Sequence, residues 1–154
     1  MISSTAERVV RNTSTNVNEQ IRRQSEQNIA NYGASDPATI ERRLAELDQE
    51  WDVERCLEAM ASTFTLVGTS LGLAVNRKWF AVPLLVQSFF LQHALQGWCP
   101  PLPLLRRLGI RTADEINEER YALKALRGDF SEVQPMAFRH DRGAVTRATE
   151  AVRR

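Results

Sequence analysis

The chain has 154 residues, the length of one domain or of a small domain with extensions. Its 20 basic and 19 acidic residues leave a formal net charge of +1, which excludes the basic footprint of a nucleic-acid binder. Two cysteines exclude a disulfide scaffold, and seven glycines with six prolines exclude a collagenous or low-complexity chain.

The charges, however, are segregated. Residues 1–58 hold 11 of the acids and residues 114–154 the other 8, so 59–113 has none. Arg77, Lys78, Arg106, Arg107 and Arg111 are the only formal charges in that stretch. A soluble surface intersperses its charges, whereas a membrane-embedded middle with wet ends keeps them apart.

Residues 1–35 form a polar segment rich in Ser, Thr, Asn and Gln, without the charged start and apolar run of a secretory signal. Val17, Ile21 and Ile29 share a face, which predicts a weak helix over about 15–32 with Gly33 as its stop. Residues 36–55 give a clearer amphipathic helix. Asp36 can cap it and Pro37 can take its first position, where a missing N–H is harmless. Ile40, Leu44, Leu47 and Trp51 then recur four, three and four apart, a narrow apolar stripe on an otherwise charged helix. The stripe can pack on another protein helix, or lie in a membrane interface with Trp51 at headgroup depth.

Residues 56–98 read as an antiparallel transmembrane hairpin. The first charge-free run, 59–75, rises about 25 Å as a helix. Adding Cys56 and Leu57 brings it near the ~30 Å hydrocarbon core. The second run, 79–98, is about 30 Å long and is bracketed by Trp79 and Trp98, whose rings favour the headgroup boundary. Arg77 and Lys78 mark the turn. Trp51, Trp79, Trp98, Arg77, Lys78, Arg106 and Arg107 are the expected interface anchors. The opposing reading is a soluble helical oligomer burying the same two helices. It draws on Gln87, Gln92, His93 and Gln96 and on a mean hydropathy of −0.35. Alkaline carbonate extraction separates the two.

In lipid, close packing and shared polar contacts must hold helices together. Ala61, Thr65, Gly68 and Gly72 supply a small-residue face on the first span. Ser88, Gln92 and Gln96, with His93 beside them, supply a polar stripe on the second. Polar groups on more than one face call for a homodimer or a place in a larger membrane complex. Six basic residues flank the hairpin's outer ends (Arg42, Arg43, Arg55, Arg106, Arg107, Arg111) against two in the turn, so both termini are expected on the cytoplasmic side.

Residues 99–130 begin with a proline-rich break, Cys99-Pro100-Pro101-Leu102-Pro103. A short amphipathic piece follows to Gly109, its Arg106 and Arg107 snorkelling toward headgroups. Thr112 and Glu115 form a capping box that opens a helix to about Arg127, with acids early, bases late and Gly128 as stop. Residues 131–154 read as a largely disordered tail containing His140.

Leu71-Gly72-Leu73-Ala74-Val75-Asn76, the aromatic restart Trp79-Phe80, and Gly97-Trp98-Cys99-Pro100 followed by Leu104, Leu105 and Gly109 resemble the YgaP-like inner-membrane domain. This family is a short bacterial two-helix transmembrane module of unknown biochemical role. The resemblance covers residues 54–112, roughly 40% of the chain. It implies an all-α protein of the bacterial inner membrane, a helical hairpin with cytoplasmic termini. The rhodanese domain that accompanies the module in the naming member has no counterpart here, since residues 1–52 contain no cysteine. Sulfur transfer is therefore not implied.

The remaining chemistry is sparse. The hairpin brings Cys56 and Cys99 to one membrane face, where they can act as a thiol pair, a reversible disulfide or an acylation site, or simply as small apolar residues. His93 precedes Cys99 by six residues, about 120° off one helical face, so it reads as an interhelical hydrogen-bonding residue. The carboxylates lie on faces shared with bases, as a solvated surface does. No phosphate-cradling glycine loop, zinc spacing or nucleophile elbow occurs. The expectation is a non-enzymatic membrane accessory protein with no cofactor, metal, nucleic-acid partner or identified small-molecule substrate. Its partners are the lipid bilayer and itself or a larger assembly. The alternative is a thiol-dependent sulfur or redox component using Cys56 and Cys99.

Overall fold

The computed structural model describes residues 7–131 and 142–153, and these are helical with no strand. The helices are α1 (Arg8–Arg11), α2 (Thr15–Gly33), α3 (Pro37–Gln49), α4 (Val53–Ala74), α5 (Ala81–Gln96), α6 (Leu102–Arg107), α7 (Ala113–Arg127) and α8 (Arg142–Arg153), with a 3₁₀ turn at Arg77–Phe80. The chain forms two compact units. Met1–Arg22 with Trp51–Asp114 make the first, and Arg23–Glu50 with Glu115–Arg154 the second.

The first unit is built on α4 and α5. Asp52 opens α4 by accepting from the Arg55 N–H at 2.7 Å, which satisfies one of the four N-terminal donors without a helical partner. The Val53 N–H donates to the Arg111 carbonyl at 2.9 Å and ties the same end to the segment after α6. At the far end Asn76 accepts from Lys78 N–H at 2.9 Å and the chain reverses through the 3₁₀ turn. The stretch 79–98 is therefore not one helix, as its composition suggested. Phe80 closes the turn, Pro83 sits in the first turn of α5 where its missing N–H is tolerated, and Gly97 ends the helix at φ 77°.

Within the hairpin, Ala61, Gly68 and Gly72 are buried. A Cβ on Gly68 would lie 2.7 Å from Pro83 Cδ, and one on Gly72 would lie 3.0 Å from the Phe80 ring. The two glycines thus permit a backbone approach that any side chain would block. Polar contact across the pair runs from Gln87 Nε2 to Thr65 Oγ1 at 2.8 Å.

The unit's apolar core is not along the hairpin but at its base. Val9, Val53, Leu57, Cys99, Leu102 and Leu105 form it, with Cys56, Met60, Phe90 and Ile110 packed against it. Further along, Leu66, Leu73, Leu84, Leu85 and Leu91 are each more than half exposed. His93 is the one buried residue of α5.

In the second unit, Ile40, Leu44 and Leu47 of α3 pack with Ile116 and Leu123 of α7, and Tyr32 leans on the cluster. Asp36 caps α3 through the N–H groups of Ala38 and Thr39. Trp51 does not complete the α3 stripe. The helix ends at Gln49 in an extended Glu50, and Trp51 is exposed with the Arg55 guanidinium over its ring at 4.4 Å. The segment read as a disordered tail contains α8, whose Val152 carbonyl accepts from Lys124 Nζ at 2.7 Å, a cation at a helix C-terminus. The part of that tail from 132 to 141, with His140, lies outside the described residues.

Candidate functional site

The base of the hairpin gathers polar groups from three helices. Glu54 lies in the first turn of α4, and its two oxygens are divided. Oε1 accepts from Arg8 Nη2 of α1 at 2.9 Å, and Oε2 pairs with His93 Nε2 of α5 at 3.0 Å. Only 1% of His93 is exposed. The carboxylate is thus shared between an imidazole and a guanidinium, each donating to a different oxygen.

Arg8 does more than pair a charge. Its Nη1 donates to the Ala94 carbonyl at 3.1 Å, and Asn12 Nδ2 donates to the Gln96 carbonyl at 2.9 Å. These are orphan acceptors of the last turn of α5, so α1 caps the hairpin's second helix from outside. Gly97 makes the approach possible, because a Cβ there would lie 2.6 Å from both Cβ and the carbonyl oxygen of Arg8.

Cys99 follows two residues later. It is 3% exposed, and its thiol interacts with the His93 imidazole. Residues 93 and 99 fall on different faces only of an uninterrupted helix. The left-handed turn at Gly97 folds the chain back and brings the thiol to the ring. Nδ1 of His93 has no hydrogen bond of normal geometry among the described residues. Both cysteines are free. Glu54, His93 and Cys99 do not converge as metal ligands.

Beside Cys99 opens a cavity of about 410 Å³ between α4 and α5. Leu57, Phe64, Leu85, Phe89 and Pro100 line it with apolar carbon, and Cys99 supplies the one thiol in its wall.

A second polar knot corrects the reading of α6. Arg106 does not snorkel toward headgroups, for it is 1% exposed. Its Nε donates to Thr13 Oγ1 at 3.2 Å, Nη2 to Asn18 Oδ1 at 3.0 Å and Nη1 to the Ile110 carbonyl at 3.1 Å. Arg107, one position on, is exposed, as are Trp79, Trp98, Arg77 and Lys78.

The polar stripe of α5 is split. Gln92 is half-buried, Gln96 is exposed, and exposed Ser88 turns its hydroxyl to the Leu84 carbonyl of its own helix. Gln87, a residue outside the stripe, makes the cross-helix bond instead. Nor are all carboxylates solvated. In the second unit Glu119 is fully buried, accepting from Arg43 Nε at 2.8 Å and from Asn28 Nδ2 at 3.3 Å.

Arg8, Asn18 and Glu54 were missed as site residues because a polar residue in a polar segment reads as solvated, and Arg106 was assigned to the headgroups instead of to this knot. One signal was available: Glu54 is the second acid before the charge-free run and lies a helical turn from Glu58. No protein-family model, no curated protein and no solved structure matches the chain.

Proposed function

We propose that this chain is a small accessory protein of the bacterial inner membrane. Its α4–α5 hairpin spans the bilayer, anchors cytoplasmic helices and associates with itself or with a larger assembly. The observation that carries this reading is the exposure of apolar side chains along both hairpin helices. Helix α5 is predominantly apolar, and its apolar side chains are not confined to one side, a pattern that belongs either to a buried core helix or to a membrane span. Yet it buries only His93 within the described chain. Leaving such a surface to water forfeits about 25 cal/mol for every Å² of it, and a bilayer removes that loss.

The dimensions agree. Helix α4 rises about 33 Å. Helix α5 alone rises about 24 Å, and the 3₁₀ turn adds about 8 Å, against a hydrocarbon thickness of about 30 Å. By length and composition, only the stretch Pro37–Ala74, which contains α4, qualifies among the described residues as a spanning helix. With 16 residues α5 is short, and it depends on that turn to reach across. The basic residues outside the hairpin outnumber those in its turn, which favours cytoplasmic termini. The resemblance to the YgaP-like module supports the same placement.

The test is fractionation of the natively expressed full chain. The expected result is a membrane pellet that survives alkaline carbonate and a purified protein that needs detergent to stay in solution. A monodisperse chain, soluble without amphiphile, would overturn the proposal in favour of a soluble helical oligomer.

A further inference from the structure

We propose that Cys99 is a site of thioester acylation, that His93 is its proton acceptor, and that the cavity between α4 and α5 holds the fatty acyl chain. The inference rests on the membrane reading and deepens it, because a cavity between two spanning helices lies among lipid chains and suits an acyl chain of the same kind.

Three independent features meet at one place. The first is the thiol, withdrawn from solvent at 3% exposure yet standing in the cavity wall. The second is the imidazole against it. Glu54 Oε2 accepts from the Nε2–H of His93, so in the neutral ring the lone pair falls on Nδ1, the nitrogen without a well-formed partner among the described residues. A histidine with one nitrogen oriented by a carboxylate and the other facing a nucleophile is the general arrangement of an activated thiol. The third is the cavity. About 410 Å³ of apolar volume is within the range of small-molecule sites, but no charged side chain lines it to fix a polar ligand. What fits is an unbranched apolar body with one electrophilic end placed at Cys99. An acyl thioester has that form, while a sterol or a nucleotide does not.

The step needs no oxidant or reductant. His93 Nδ1 takes the thiol proton as Cys99 Sγ bonds to the carbonyl carbon of a long-chain acyl thioester. The bond from that carbon to the donor's sulfur breaks, and the departing thiolate takes the proton back from Nδ1. One thioester is exchanged for another. Glu54 acts through His93 as a positioning residue, and Arg8 holds the other oxygen of Glu54. Cys56 is only half-buried and does not line the cavity, so it is not the acceptor.

The test uses the full chain in neutral detergent micelles with palmitoyl-CoA as the probe, followed by intact mass and peptide mapping. A single hydroxylamine-labile adduct is expected on the peptide containing Cys99, in the unaltered chain and in Cys56→Ser, and none in Cys99→Ser. His93→Gln slows the reaction by about a hundredfold, and its rate then climbs steeply with pH through the thiol range, because only spontaneously ionised thiol reacts. A merely structural role for His93 leaves the pH profile unchanged. No adduct on the unaltered chain, an adduct on Cys56, or equal rates in His93→Gln would each overturn the proposal. Failure here with the chain still retained by carbonate-washed membranes removes the acylation alone. Release by carbonate removes the membrane placement and leaves the adduct measurement standing, since the micelle delivers the donor.

Discussion

Replacing Gly97 by alanine tests how the base of the hairpin is assembled. Gly97 has φ 77°, where an L side chain suffers about 1–2 kcal/mol of strain. Its Cβ would also lie 2.6 Å from the backbone carbonyl oxygen and the Cβ of Arg8. Backbone cannot swing aside as a side-chain tip can, so α1 must move off the end of α5. That movement loosens the bonds of Arg8 to Glu54 and to the Ala94 carbonyl, each worth on the order of 1 kcal/mol net. The expected total is about 3 kcal/mol, or a fall of about 6–12 °C in melting temperature for a chain of this size. Thermal denaturation in detergent, followed by circular dichroism, reads it. Gly109 supplies the control, because its φ of 83° is similar but no atom lies within 4 Å of an added Cβ. Gly109→Ala carries the strain alone and should fall by no more than about half as much. Equal losses in the two variants would refute the packing of α1 against Gly97.

Three further expectations concern the same unit. Gly68→Ala brings a methyl to 2.7 Å from the rigid Pro83 ring and should destabilise the hairpin by about 1–3 kcal/mol. Ser70→Ala, at an exposed position, should stay within about 0.5 kcal/mol by the same melting assay. Glu54→Gln removes the charge that Arg8 and His93 share and should cost about 1–3 kcal/mol in the same melting assay, and an unchanged melting curve would contradict the pairing with His93 and Arg8. Arg106→Met leaves Thr13, Asn18 and the Ile110 carbonyl short of a buried donor and should cost about 2–3 kcal/mol. Arg107→Met should cost under about 0.5 kcal/mol, and similar effects of the two would restore the reading in which both arginines face the headgroups.

The sequence by itself determined what is local. Asp36 before Pro37, the apolar spacing of Ile40, Leu44 and Leu47, and Gly33 and Gly128 as stops all act within one or two helical turns, so they are written where they operate. The charge-free run with its basic turn is likewise readable, because excluding charge from a stretch is a property of composition. The close-packing face of Ala61, Gly68 and Gly72 belongs here too, since small residues seven and four apart fall on one side of a helix.

Tertiary structure alone decided which charges are buried and with whom. Arg8 and Glu54 are separated by 46 residues, Arg106 and Thr13 by 93, and Arg43 and Glu119 by 76. A guanidinium or carboxylate has the same letter whether water or a partner satisfies it. No periodicity marks α1 either, which is only four residues long and takes its place from the carbonyls it caps. The meeting of His93 with Cys99 shows the limit most sharply. A helical wheel separates them, and one glycine with a positive φ reunites them, because the direction of a chain beyond a helix end is set by what it packs against.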